Sequence, residues 1–222
     1  MLKKIRLFLG LLIFAVLFFF GVYSWRIAQE NKVLNEIITR LQADSRIAEV
    51  VVTAVKADPK SGKTLTTIKF LEYGAIGQPL EPKYFTFFGN IIQFQSLVIR
   101  FNDIYVRNAD KFRGKSAYIF WKVFRLDGPN TEEYEINRVN DIPDGYRVGA
   151  AKNNFEQRLW EGFWKYALDA RSAKGAGVKN AQVEAPGTRF IPGLIYTLKI
   201  EHDGGIRIDS APVPRILKDE LR

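Results

Sequence analysis

The 222-residue sequence contains no cysteine. That excludes disulfides, a thiolate nucleophile and any cysteine-ligated metal site. Histidine occurs once, as His202, so a serine–histidine–aspartate triad would depend on that one residue. No G-x-S-x-G elbow marks Ser96, Ser116 or Ser210 as a nucleophile. Glu201, His202 and Asp203 are consecutive. Neighbouring strand residues point to opposite faces, so the three do not converge on one metal ion. His202 is read as a hairpin-end residue with a structural or solvated role. Internal repeats and low-complexity tracts are also absent.

Charge is missing from one long stretch. LFLGLLIFAVLFFFGVYSW, from Leu7 to Trp25, carries none over nineteen residues. As a helix at about 1.5 Å per residue it spans roughly 28 Å, close to the ~30 Å hydrocarbon core of a bilayer. A helix also bonds its own backbone polar groups, which a bilayer requires. Lys3, Lys4 and Arg6 precede it, and no acidic residue occurs before Glu30. The positive-inside bias therefore predicts a cytoplasmic N-terminus of residues 1–6 and export of everything after Trp25. Arg26 opposes this weakly. Tyr23 and Trp25 suit the membrane interface. The rival is a cleaved secretion signal, with MLKKIR as its basic region and Val22-Tyr23-Ser24 before the cut. The run exceeds the usual ~7–15 residues of a signal core, lacks an A-x-A-like site and is followed by bulky Trp25. A retained anchor, with the lipid bilayer as partner through Leu7 to Trp25, is the expectation. No face of the segment is polar, so it does not read as the buried helix of a soluble domain.

What is present fits an exported domain. Hydrophobic residues make up 47% and aromatics 14%, enough to stabilise it by burial where disulfides cannot. Three of the 33 basic residues precede Leu7, leaving 30 basic against 24 acidic residues after Trp25. That mild, dispersed excess permits contact with anionic headgroups or polymers without demanding it.

Residues 26–46 read as a helical stalk. Ile27, Leu34 and Leu41 fall seven apart, with Ile37 and Ile38 between them. This is a stripe of two to three heptads. Self-association with a second copy through Leu34, Ile38 and Leu41 is one expectation. The plainer one is a helix that packs on its own domain.

From about Ile47 the period changes to two. AEVVVTAVKA and TLTTIKFLEY read as a hairpin around DPKSGK. KYFTFFGNIIQFQSLVIRF is strand material with a bend at Gly89-Asn90. SAYIFWKVFRL is apolar on both faces from Ala117 to Trp121, which suits a strand covered on both sides. EYEINRV adds a short strand after the DGPNTEE turn. In KNNFEQRLWEGFWKYALDARSAKG, Asn153 and Glu156 have capping-box spacing. Phe155, Leu159, Phe163 and Ala167 form an apolar stripe stopped at Gly175. Trp160 and Trp164, at its edge, are expected to form an exposed patch for a partner. In IYTLKIEHDGGIRI a loop of Asp203, Gly204 and Gly205 would place Ile200 opposite Ile208. Pro212 and Pro214 are expected to leave the sheet.

Two further motifs fail on inspection. SGKT, Ser61–Thr64, lacks the glycine of a phosphate loop, since Ala57 stands there, and a strand follows it. KDEL at 218–221 is followed by Arg222 and is not a terminal address.

The expected fold is α+β, mainly antiparallel β (sandwich or partial barrel), with one long amphipathic helix. It is tethered by an N-terminal transmembrane helix, Leu7–Trp25, and a short helical stalk. The β domain covers 47–211 and a tail 212–222. Only this layout resembles single-pass envelope proteins of bacterial division and secretion machinery; no motif ties the chain to a family. The expected function is a non-catalytic, membrane-anchored envelope protein whose exported domain binds a protein partner or an envelope polymer. No cofactor, metal or nucleic acid is expected, and no residue is assigned a catalytic role. The alternatives are an enzyme acting on envelope glycans or lipids through carboxylates such as Glu132, Glu133 or Glu135, or a secreted protein if the segment is cleaved. With about six residues before the span, a cytoplasmic signalling domain is not expected.

Overall fold

The computed structural model describes residues 2–41, 46–74, 77–101, 115–127, 130–149, 154–175, 178–201 and 205–214. It is α+β, with two antiparallel sheets and an N-terminal apolar helix. Helix α1 runs without a break over Leu2–Arg40. Its segment Phe8–Arg40 is long and apolar enough to cross a membrane. Phe8, Phe14, Phe19, Phe20 and Trp25 along it are all exposed, so among the described residues no protein surface covers this part of the helix.

The first sheet has the order β10-β9-β1-β2-β3. Its strands are β1 (Arg46–Ala57), β2 (Thr64–Glu72), β3 (Lys83–Phe88), β9 (Leu194–Ile200) and β10 (Ile206–Pro212). The second has the order β6-β5-β4-β7, with β8 also pairing β4. It comprises β4 (Ile91–Phe101), β5 (Ser116–Asp127), β6 (Asn130–Glu135), β7 (Val178–Glu184) and β8 (Gly187–Arg189). Gly89, at φ 87°, makes the expected bend between β3 and β4 and passes the chain from one sheet to the other.

Alternation places the side chains. Ala48, Val50, Ile68, Phe70, Phe87, Leu198 and Ile200 of the first sheet meet Phe94, Val98, Tyr118, Phe120 and Val123 of the second in one cluster. Phe70 stacks on Phe94 at 5.6 Å and meets Phe120 edge-on at 5.5 Å. Such pairs add about 0.5–1.5 kcal/mol each beyond burial. The intervening residues Leu97, Ile99, Ala117 and Ile119 face the other side of the second sheet. There they pack with helix α2 (Asn154–Leu168) and the end of α1. Strand β5 is thus covered on both faces, as its continuous apolar run predicts.

Several local expectations need correction. Strand β6 begins at Asn130 rather than at Glu133, because Asp127 already pairs with Asn130. The last hairpin closes one residue early: Glu201 N–H donates to Gly205 O, and Ile200 pairs with Ile206 rather than Ile208. Each residue's partner shifts by two, so the apolar residues keep their common face. Pro212 stays in the sheet, paired with Leu194. Strand β10 is an edge strand, where a missing N–H costs least. The long helix ends at Leu168. Asp169 accepts hydrogen bonds from the N–H groups of Arg171 and Ser172 and starts a new turn, α3 (Ala170–Gly175).

Candidate functional site

The site is built on a loop. Strand β5 carries a bulge at Trp121, since Gln95 pairs with Lys122 but Ser96 pairs with Phe120. The freed carbonyl of Trp121 accepts the N–H of both Ile136 and Asn137, at 2.8 and 3.1 Å. This turns the chain out of β6 into residues 136–149, the kind of re-aiming a bulge performs. Side chains then fix the loop. Asn137 Nδ2 donates to Phe120 O at 2.7 Å, and its Oδ1 accepts Asp144 N–H at 3.1 Å. Trp164 Nε1–H donates to Asp141 O at 2.7 Å. Gln157 Nε2 donates to Asn140 O at 2.7 Å. Tyr146 hydroxyl donates to Tyr118 O at 3.2 Å and accepts Tyr118 N–H at 2.9 Å.

A buried ion pair lies against the loop. Arg46, 1% exposed, pairs with Glu72 Oε1 at 2.5 Å and donates from Nη1 to Gly145 O at 3.4 Å. Its guanidinium sits 4.8 Å from the Tyr146 ring centroid. Burial by itself would lower its pKa, but the adjacent Glu72 carboxylate and Tyr146 together outweigh that and hold it above the ordinary arginine value. A Cβ added at Gly145 would overlap the guanidinium, so any other residue there requires Arg46 or the loop to shift.

Helix α1 reaches the far end of the same loop. Arg40 Nη1 donates to Arg147 O, while Nη2 pairs with Glu36 at 2.7 Å. Val148 N–H donates to Glu156 Oε1 at 2.8 Å. Glu156 is buried, and burial raises its carboxyl pKa, with the Val148 N–H, Arg147 and Arg40 opposing. Its Oε2 has no hydrogen-bond partner among the described residues.

Between Lys83 and the loop lies an open cleft of about 290 Å³. Lys83 Nζ donates to Ile136 O and pairs with Asp144 Oδ2 at 2.8 Å; Arg147 lies 3.8 Å from the same carboxylate. Arg138 and Glu135, 3.6 Å apart, and Asp141 complete the charged rim. Among the described residues, no group of three or more aspartates, glutamates or histidines is arranged to hold a metal.

The residues singled out from sequence are dispersed. Trp160 and Trp164 are not an exposed patch: both are fully buried. The helix buries Trp160, Phe163 and Trp164 in the core, while Phe155 and Leu159 are only partly buried. Trp160 lies 5.0 Å from Tyr146 and Trp164 lies 6.2 Å from Trp121. Leu41 is buried, and Leu34 and Ile38 are partly buried, all against this chain's own domain. The stalk stripe is therefore occupied within one molecule. Glu132, Glu133 and Glu135 do not share a cleft as a free carboxylate pair; they face Arg125, Lys122 and Arg138 in turn. Ser96 is fully buried, and Ser210 is exposed on β10. SGKT forms a hairpin turn, in which Asp58 Oδ2 accepts Ser61 N–H at 2.8 Å. His202 and the KDEL segment lie outside the described residues.

Sequence reading missed residues 136–149. The signal was the dense run NRVNDIPDGYR between a strand and a helix, too long and too charged for a simple connection. In comparisons with known proteins, no family model, no curated protein and no solved structure matches the chain.

Proposed function

We propose that this chain is a single-pass membrane protein of the cell envelope, with a cytoplasmic N-terminus. Its exported β domain, a two-sheet sandwich, works as a binding module for a protein partner or an envelope polymer. The observation that supports this reading most is helix α1. Its apolar half is uncovered by protein, while its last turns, Val33 to Leu41, are seated in the domain. Val33 lies eight residues beyond Trp25, about 12 Å along a helix. The interfacial layer takes up roughly 5–7 Å of that distance. The domain is therefore held close to the lipid surface, and its ligand is expected there.

The absence of cysteine makes the test clean. Single cysteines are placed at I5C, before the span, and K60C, in the exposed β1–β2 turn. Intact cells are treated with a membrane-impermeant maleimide. The proposal expects K60C to react in intact cells and I5C only after permeabilisation, with both chains kept in the membrane at alkaline pH. Release by alkali, or the reverse labelling, would overturn it.

A further inference from the structure

The 136–149 loop is fixed more firmly than a connection requires. Asn137 and Tyr146 of the loop and Trp164 of α2 are buried and bond its backbone or its neighbours. Gly145 is fitted to the Arg46 guanidinium. Asn140 has φ 68°, the one positive φ among the described non-glycine residues. Such conformations persist where the surroundings over-determine them, and they cluster at ligand clamps. What this framework presents to solvent is charge.

Two parts of the rim differ. Asp144 is held between Lys83 and Arg147 and forms a closed ionic group. By contrast, the Asp141 carboxylate has no ion-pair or hydrogen-bond partner among the described residues, and Arg138 is 76% exposed with only a 3.6 Å contact to Glu135. An unpaired carboxylate on a fixed backbone and a loosely held guanidinium therefore border one cleft. A purely anionic or purely cationic ligand would meet repulsion from half of the rim. A ligand with both charges would meet complementary groups. The volume lies at the small end of the ~300–1,000 Å³ range of small-molecule sites, the size of a few peptide units.

We propose that this cleft binds a short peptide segment carrying both a free ammonium and a carboxylate, the ammonium on Asp141 and the carboxylate on Arg138. The inference deepens the binding-module reading by naming the ligand class. Trp164 supplies a built-in reporter, because its indole N–H is bonded to the Asp141 carbonyl.

The full chain in detergent is titrated with trialanine and followed by tryptophan fluorescence. Acetylated, amidated trialanine serves as the uncharged control. Saturable binding by the free-ended peptide and none by the blocked one is expected. D141N and R138Q should each weaken binding about tenfold or more, the effect of losing one charge-assisted hydrogen bond. Both side chains face solvent, and unchanged melting confirms that the variants fold. A peptide ending in D-alanine separates an envelope peptide from a protein chain end, since only the former carries D-residues; preference for either supports the site. Equal binding of the blocked peptide, indifference to both substitutions, or no saturation by about 10 mM would overturn the proposal. These outcomes are independent of the cysteine labelling, so failure of the cleft and failure of the anchor reading are distinguishable.

Discussion

Gly145→Ala perturbs the joint between loop and sheet at one atom. The new methyl would occupy the space of the Arg46 guanidinium. Either the loop lifts, giving up the Tyr146 and Asn137 bonds, or Arg46 turns away and leaves Glu72 buried without its cation. Glu72 is 5% exposed, so water compensates little. Breaking a buried pair in this way costs about 3–5 kcal/mol, a large share of the ~5–15 kcal/mol that holds a typical domain together. At roughly 2–4 °C per kcal/mol for a domain of this size, the melting temperature should fall by about 6–20 °C. Thermal unfolding of the full chain in detergent, followed by near-UV circular dichroism, measures it. Gly149→Ala is the control: Gly149 has φ 78° but open space around its Cβ position, so only backbone strain of about 1–2 kcal/mol is expected. Removing the pair with R46M and E72L should abolish most of the G145A effect, because the clash then has no charge to expel. Equal losses for G145A and G149A, or no rescue in the triple variant, would refute the reasoning.

Three other predictions follow from the same geometry. Ile37→Ala, at a fully buried position of α1, should cost about 2–5 kcal/mol in domain melting, whereas a free stalk would show no loss. Burial raises the Glu156 carboxyl pKa, so its contribution to stability is full below the ordinary carboxyl value and is lost as pH rises through the raised folded value. E156Q keeps the acceptor for Val148 N–H without the charge, so it should melt higher than wild type at neutral pH and lose that advantage in acid. The Tyr73 phenol, raised to about 12 by burial and by its 2.8 Å bond to Glu49, should ionise late in an ultraviolet pH titration and earlier in E49Q.

The sequence was most informative where one physical term dominates. The uncharged run Leu7–Trp25 reads as a helix whether it is an anchor or a signal, and the structure makes it part of one uninterrupted helix. Strand β5 was legible because apolar residues occupy both of its faces. The Asp58–Lys63 turn was legible from its chemistry. Reading failed where tertiary packing chose between near-equal options. Helix α2 has aromatic residues on adjacent faces, and periodicity alone does not say which face meets the sheet; the two indoles do, and the expected contact patch became core. The stalk stripe fits a second copy or its own domain equally well by spacing. The charged loop was illegible because its order depends on Arg46 and Glu72, which are distant in sequence from it, and on a bulge that no local pattern marks.

The central claim is that Leu7–Trp25 is a retained anchor that holds the domain at a membrane. Intact mass of the mature protein, taken separately from the membrane and soluble fractions of its host, tests this most directly. The account predicts a membrane-bound species whose mass includes residues 7–25. A soluble species lacking about the first twenty-four residues, the length of a removed signal, would contradict it.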